Sequence, residues 1–242
     1  MAVSVDIVIP VLNEERSLPR CITTLAAFVA QHPDREWRLR IADNGSTDGT
    51  LRVAEELKVA HPNLEVTHLD QRGRGRALRK AWTESGADVR CYTDVDLSTG
   101  LDALPLLLNA IADEGCDVAI GSRLTKGSQV VGRKLKREIT SRGYNAMIRT
   151  MFPYAGFHDA QCGFKAVSRR AAETLVPLVE DNAWFFDTEL LLVARAWGWK
   201  VREVPVHWED DPDTRVKIVS TAWEDVKGLL RLRFGGIPDR PG

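Results

Sequence analysis

From Val5 to Ser122 short apolar runs alternate with longer amphipathic stretches, and this alternation narrows the possible folds more than any other feature. Val5–Pro10 is an apolar run closed by proline and predicts a buried strand. Residues 17–32 carry Leu18, Ile22, Leu25 and Phe28 at helical spacing, with Pro19 in the first turn, where it is tolerated. Trp37–Asp43, Glu65–Leu69, Val89–Asp94 and Val118–Ser122 read as further strands. Helices are expected between them, running to about His61, over Gly75–Gly86 and over about Leu101–Glu114. Repeated strand–helix–strand units predict an α/β fold, a largely parallel sheet with helices on both faces. Ligands of such sheets bind beyond the carboxyl ends of the strands. After Ser122 the rhythm changes. Helices are expected near Glu138–Met151, Arg169–Leu178, Thr188–Trp197 and Ile218–Phe234, with strand-like stretches toward Val167 and over Lys200–His207. With no repeat and no linker, 1–242 reads as one domain whose second half builds the far side of a cleft.

Charge indicates what the cleft takes. The chain of 242 residues has a net charge of -1, which argues against a general nucleic-acid binder. The charge is unevenly spread. Eight Lys or Arg residues lie between Arg123 and Arg149 against one acid, Glu138. Arg72, Arg74, Arg76, Arg79 and Lys80 form a second cluster. Such local excess points to an anionic ligand, and two solvated faces are the plain alternative. The four cysteines form no Cys-x-x-Cys pair and read as reduced, buried thiols of a cytosolic protein. The N-terminus lacks the sections of a signal peptide, and no apolar run reaches the ~20 residues that span a bilayer.

The most informative short motif is Thr93-Asp94-Val95-Asp96-Leu97-Ser98, placed where a strand ends and a loop begins. Alternate carboxylates there can hold Mg²⁺ or Mn²⁺ through oxygen, and the ion can bridge a diphosphate. Two turn-forming aspartates would look the same. Pro10, Leu12, Asn13 and Glu14 end the first strand and Asp43 the second, so their polar groups converge on the same rim. Arg72-Gly73-Arg74-Gly75 follows the third strand, where glycine allows close approach and arginine can pair with phosphate. No Walker loop is present.

Val8–Glu14, Asp43–Thr50, the Arg72–Gly75 loop and Asp94-Val95-Asp96 occur in the order and spacing of inverting GT-A glycosyltransferases, which the chain resembles. Gly121-Ser122-Arg123, Arg133–Arg137, Ser141–Asn145, Asp159–Lys165, Phe186–Leu191, Val204-Pro205-Val206 and Arg215-Val216-Lys217 are similar to dolichyl- or polyprenyl-phosphate sugar synthases, of the glucosyl or the mannosyl type. The resemblance implies a GT-A, Rossmann-like fold, with about 1–122 binding a nucleotide-sugar and about 123–234 serving the acceptor. Pro10, Leu12, Asn13, Glu14, Asp43, Asn44 and Arg74 would contact the nucleotide-sugar, Asp43 through the base. Asp94 would lie near the ribose and the metal, and Asp96 would be the principal metal ligand. Gln161, Asp187 and Glu189 would face the sugar together with Asp159. Arg123, Arg133, Arg137 and Arg142 would take the lipid phosphate, with Lys217 beside them, and Arg215 would serve either phosphate group as a catalytic residue. Two positions depart from the pattern: Asn44 replaces a common second aspartate, and Ser98 a better metal ligand. Many relatives also continue into membrane helices.

The implied reaction is a direct displacement. A polyprenyl or dolichyl phosphate oxygen attacks the anomeric carbon of a UDP- or GDP-sugar, and the diphosphate leaves from the opposite face. The phosphate is already anionic, so positioning and charge neutralisation carry the catalysis. Transfer to a sugar hydroxyl would need a base, for which Asp159 is the candidate. A non-catalytic nucleotide-sugar sensor is a further alternative, against which the paired aspartates speak. The stretch Gln161–Lys165 favours UDP-glucose over GDP-mannose. Val219, Ala222, Trp223, Val226, Leu229 and Leu230 recur at helical spacing beside Lys227, Arg231 and Arg233. They predict a helix that either packs on the domain or docks the protein peripherally on the anionic inner face of the membrane. A separate membrane protein is the other way to bring the enzyme to its lipid.

Overall fold

The computed structural model describes residues 2–133, 135–209 and 218–240, the side chains of 218–220 excepted. Arg215 and Lys217 therefore lie outside the described residues. Strand β1 (Ser4–Val11), helix α1 (Leu18–Ala30), β2 (Glu36–Asp43), α2 (Thr50–Ala60), β3 (Leu64–His68), α3 (Arg74–Glu84), β4 (Val89–Thr93), α4 (Leu104–Ala112) and β5 (Val118–Ser122) follow the expected alternation. Then come β6 (Gln129–Val131), α5 (Leu135–Met151), β7 (Phe164–Ser168), α6 (Arg169–Leu175), α7 (Phe186–Ala196), β8 (Val201–Pro205), β9 (His207–Glu209) and α8 (Ile218–Gly235).

Among the described residues, seven strands form one sheet in the order β3-β2-β1-β4-β7-β5-β8. All neighbours are parallel except β7, which runs antiparallel to both β4 and β5. The central strands divide their side chains between two cores, as the two-residue period requires. Val5, Ile7, Ile9 and Val11 of β1 face one core with α1 and α4, and Val8 faces the other with α3, α6 and α7. Burial on both faces explains why β1 reads as a continuous apolar run.

The reversed β7 matters most for the site. Phe164, its first residue, pairs with Thr93, the last of β4. Residues 159–163 are thereby delivered to the rim that carries Asp94 and Asp96. The stretch 200–207, expected as one strand, divides after Pro205. Its β8 part lies at the sheet edge, where a residue without N–H is tolerated. Its continuation β9 pairs instead with β6, and Trp208 forms a bridge to Thr99 just beyond the acidic motif.

Candidate active site

The rim at the ends of β1, β2 and β4 is laced by short hydrogen bonds. Asn13 adopts φ 59°, and its N–H donates to Ser46 Oγ at 2.9 Å while its Oδ1 accepts from Thr47 N at 2.8 Å. Glu14 N donates to Thr50 Oγ1 at 2.7 Å. Pro10 is buried in β1, and Leu12, Asn13 and Glu14 are half-buried. Asp43 has no exposed surface, because its carboxylate accepts from Ser46 N at 3.2 Å and lies 2.7 Å from His68 Nδ1. Asn44, the departure from the family pattern, accepts from Gly73 N and so pins the loop that opens α3.

Asp94 and Asp96 emerge from β4 side by side. Asp94 is half-exposed and Asp96 exposed. Leu97 turns with φ 52°, a conformation costly for a branched side chain, and Ser98 N then donates to Asp96 Oδ1 at 2.9 Å. Asp94 N donates to Gly163 O at 3.2 Å. A Cβ on Gly163 would lie 1.7 Å from Asp94 Oδ2, so glycine is what leaves the carboxylate room. Below the motif, burial together with the charges of Asp96 and Asp94 pushes the Cys21 thiol up to about 12, so it stays protonated.

Behind Asp94 runs a buried chain of charge. Arg74 donates through Nη2 to Asp94 and through Nη1 to Asp187, both at 2.8 Å. Its guanidinium lies 4.8 Å from the Tyr92 ring centroid and 5.0 Å from that of Trp184. Tyr92 Oη sits 2.8 Å from both oxygens of Asp187, and Lys165 Nζ donates to that hydroxyl at 3.2 Å. Burial and the Asp187 charge hold the Tyr92 phenol well above its ordinary range, so it remains a donor. Buried carboxylates survive by being fully paired, and Asp187 is.

Asp159, Asp187 and Glu189 were expected to face the sugar. All three are buried with internal partners. Arg123 donates to Asp159 through its backbone N at 2.9 Å and through Nε and Nη2 at 2.8 Å. Burial alone would raise the Asp159 carboxyl, but the Arg123 charge and hydrogen bonds outweigh it and hold it at about 2. Such a carboxylate is a poor base. Glu189 accepts from the N–H groups of Glu180 and Asp181 and pairs with Arg231 of α8 at 2.7 Å. Gln161, by contrast, is exposed and donates to Asp225 Oδ2 at 2.8 Å. Arg74, expected at the nucleotide-sugar, is likewise turned inward.

Arg123, Arg133 and Arg142 meet in one cleft of about 420 Å³, lined also by Ser128, Val130, Leu135 and Glu138. Arg137 is half-buried in the first turn of α5 and does not line it. The guanidinium carbons of Arg123 and Arg133 lie 5.5 Å and 5.7 Å from the Trp208 ring centroid. Burial and the Arg123 charge lower the Arg133 pKa, which Glu138 opposes. Trp208 also ties the cleft to the acidic rim. Glu209 N donates to Ser98 O at 2.9 Å and Gly100 N to His207 O at 2.8 Å. Trp208, Tyr92, Glu138 and Asp225 carry no sequence motif; only the pairing of distant segments shows them.

The donor set suits a hard divalent cation. Asp94 and Asp96 offer oxygens alone on an open rim, and Mg²⁺ and Mn²⁺ at phosphate sites take one or two carboxylates with water and phosphate completing the shell. No group of three or more His, Cys, Asp or Glu able to hold a metal occurs among the described residues. Two carboxylates therefore fit an ion shared with a substrate phosphate rather than one caged by protein.

Sheet order and rim define the class, an α/β protein of the GT-A type. The chain belongs to glycosyl transferase family 2, whose model matches residues 6–176. It is 37% identical over 232 residues to glycosyltransferase AglD of Haloferax volcanii, covering 94% of this chain and 36% of that one. It is 28% identical over 223 residues to the dolichyl-phosphate beta-glucosyltransferase ALG5C of Trichomonas vaginalis, covering 87% of this chain and 65% of the relative. The chain thus spans less than two thirds of either protein. Glucosyl-3-phosphoglycerate synthase of Mycobacterium tuberculosis, solved with Mn²⁺, UDP and glucosyl-3-phosphoglycerate, superposes with a TM-score of 0.71 at 19% identity, over 98% of this chain and 81% of that one. At that identity the likeness concerns the fold.

Proposed function

We propose that this chain is an inverting glycosyltransferase that moves a hexose from a nucleotide-diphosphate sugar to a polyprenyl or dolichyl phosphate. The observation that carries the reading is the joining of two chemically opposite sites. The Asp94–Asp96 loop is hydrogen-bonded to β9, and Trp208 of β9 lies beneath Arg123 and Arg133 of the basic cleft. The names of the relatives support the same substrates. UDP-glucose is the preferred donor, on the Gln161–Lys165 stretch and on the beta-glucosyltransferase relative; GDP-mannose is the alternative.

Asp94 and Asp96 would hold Mg²⁺ or Mn²⁺. Bound there, the ion supplies positive charge against the leaving diphosphate. Arg74 keeps Asp94 oriented, and the cleft arginines orient the acceptor phosphate and offset its charge. The phosphate oxygen needs no base, which agrees with an Asp159 carboxylate already committed to Arg123. That commitment also weakens the hydroxyl-acceptor alternative.

The acceptor is a membrane lipid, and the reading includes peripheral docking at the cytoplasmic face. No helix among the described residues is long and apolar enough to cross a membrane. Leu135, which lines the cleft, and Ile139, one turn further along α5, are 74% and 63% exposed. On the neighbouring α8, Trp223, Leu230 and Phe234 are exposed while Leu229 and Leu232 enter the core. The α8 stripe thus serves packing and leaves an apolar outer face. The test is turnover of a panel of nucleotide-sugars with a polyprenyl phosphate, with chelator and with restored Mg²⁺ or Mn²⁺. Transfer to the lipid phosphate is expected, lost in chelator. No product from any donor with the lipid phosphate overturns the reading.

A further inference from the structure

The basic cleft contains its own anion. Glu138, in the first turn of α5, reaches back so that Oε2 accepts from Arg133 Nη1 at 2.6 Å and Oε1 accepts from Arg142 Nε. Each carboxylate oxygen thus takes one arginine. Arg133 is deeply buried, with 7% of its side chain exposed, and Arg142 is open at 64%. Arg123, the third arginine, is already held by Asp159 through Nε and Nη2. Glu138 is therefore a carboxylate seated between the two cleft guanidiniums that lack another described carboxylate, on the path from the apolar mouth at Leu135.

We propose that Glu138 is a specificity-determining residue, a resident counter-ion that an incoming phosphate monoester displaces and a phosphodiester does not. The inference rests on the acceptor reading above. A ligand that takes Arg133 Nη1 and Arg142 Nε must displace Glu138 from both. A phosphate monoester brings a charge near −1.5 to −2 at neutral pH and three acceptor oxygens. It can engage both arginines and retain an oxygen for Arg123 or Trp208-backed charge. A phosphodiester headgroup brings one charge, the same as the carboxylate it must replace, and only two unesterified oxygens. The exchange is then close to neutral in charge while the Glu138 carboxylate loses its partners, which is unfavourable for a partly buried group. The discrimination matters at an anionic bilayer. There phosphodiester lipids vastly outnumber any polyprenyl monophosphate, and an arginine pocket without an internal competitor would stay filled with bulk lipid. Specificity obtained by penalising the wrong ligand is a general device. Glu138 thus keeps bulk phosphodiester out of the cleft, at the cost of a higher acceptor KM in phospholipid-free conditions.

Glu138→Gln tests this, because the amide keeps the size and one acceptor oxygen but loses the charge. Purified wild type and variant are assayed in detergent micelles, with polyprenyl phosphate varied and phosphatidylglycerol added in steps. In pure detergent the acceptor KM of Glu138→Gln should fall severalfold, with the donor KM unchanged. Phosphatidylglycerol should then inhibit the variant competitively against the acceptor at concentrations that leave the wild type unaffected. Melting temperatures of both proteins, and Glu138→Ala as a second variant, separate this from a helix-stability effect, which would lower the melting temperature without a change in lipid competition. An unchanged or raised acceptor KM together with equal indifference to phosphatidylglycerol overturns the role of Glu138. Arg133→Ala runs in parallel. If it too leaves the acceptor KM unchanged, the acceptor reading of the cleft fails; if it raises the KM while Glu138→Gln has no effect, only the counter-ion proposal fails.

Discussion

Arg74 and Arg142 use the same guanidinium in opposite settings. Arg74 is 8% exposed in its side chain, bonded to two carboxylates and flanked by two aromatic rings. Arg142 is 64% exposed and meets one carboxylate from its own helix. The first arrangement is a fixed strut: removing any member strips a partner from a buried charge. The second is an exchangeable contact whose partner a ligand can replace. The donor rim is thus preorganised, and the acceptor cleft is adaptable. A protein that must hold a diphosphate rigidly while receiving a lipid from a fluid surface has use for both.

The comparison breaks first at Asp96. Asp96→Ala should reduce turnover at least about a hundredfold while the melting temperature stays close to wild type, because an exposed rim carboxylate contributes little to the core. Gly163→Ala should act like a rim mutation from a distance, since the new Cβ would displace Asp94; metal binding measured by titration calorimetry should weaken with it. Full activity of Asp96→Ala in chelator would remove the metal from the donor rim.

Asp187→Asn examines the strut. One partner of a buried pair is neutralised while Arg74 and Lys165 stay charged, and this should cost about 3–5 kcal/mol in a denaturant unfolding curve. A loss below about 1 kcal/mol would show that the chain of charge is not a fixed element.

Arg133→Ala examines the adaptable side and is smaller in stability but specific in kinetics. A charge-assisted bond to phosphate is worth about 1.5–3 kcal/mol, so the acceptor KM should rise roughly tenfold to a hundredfold with the donor KM unmoved. An equal rise in both would deny the division of the site.

The smallest expected effect concerns α8, which borders both regions. Burial and the charge of Asp181 raise the Asp225 carboxyl to about 7, against the hydrogen bond from Gln161. The unfolded carboxyl titrates near ~3.9, so between about pH 4 and 7 the folded chain binds the extra proton. Stability from this group therefore falls as pH rises through that window and is level above it. Asp225→Asn should flatten the slope, read as melting temperature against pH.

How much of this was legible from residues varies by element for physical reasons. The strands β1 to β5 and the helices between them follow from apolar periodicity, because burial on one or two faces writes itself into neighbouring residues. The rim residues Asn13, Asp43, Asp94 and Asp96 follow too, because strand ends in a parallel sheet share an edge. The direction of β7 was not legible. A five-residue strand such as Phe164–Ser168 has the same pattern whether parallel or antiparallel, and only its pairing with β4 brings Gly163 against Asp94. The break between β8 and β9, which sets Trp208 beneath the arginines, is equally silent in the local pattern.

What the sequence by itself determined is the α/β class, the family and the inventory of charges. Which charges are spent on one another was decided by tertiary structure alone. Asp159, Asp187 and Glu189 look like sugar-facing acids in the chain, yet Arg123, Arg74 and Arg231 lie 36, 113 and 42 residues away from them and close on each in the fold. Electrostatic energy depends on distance in space and on local dielectric, and neither is encoded in the spacing of a linear sequence.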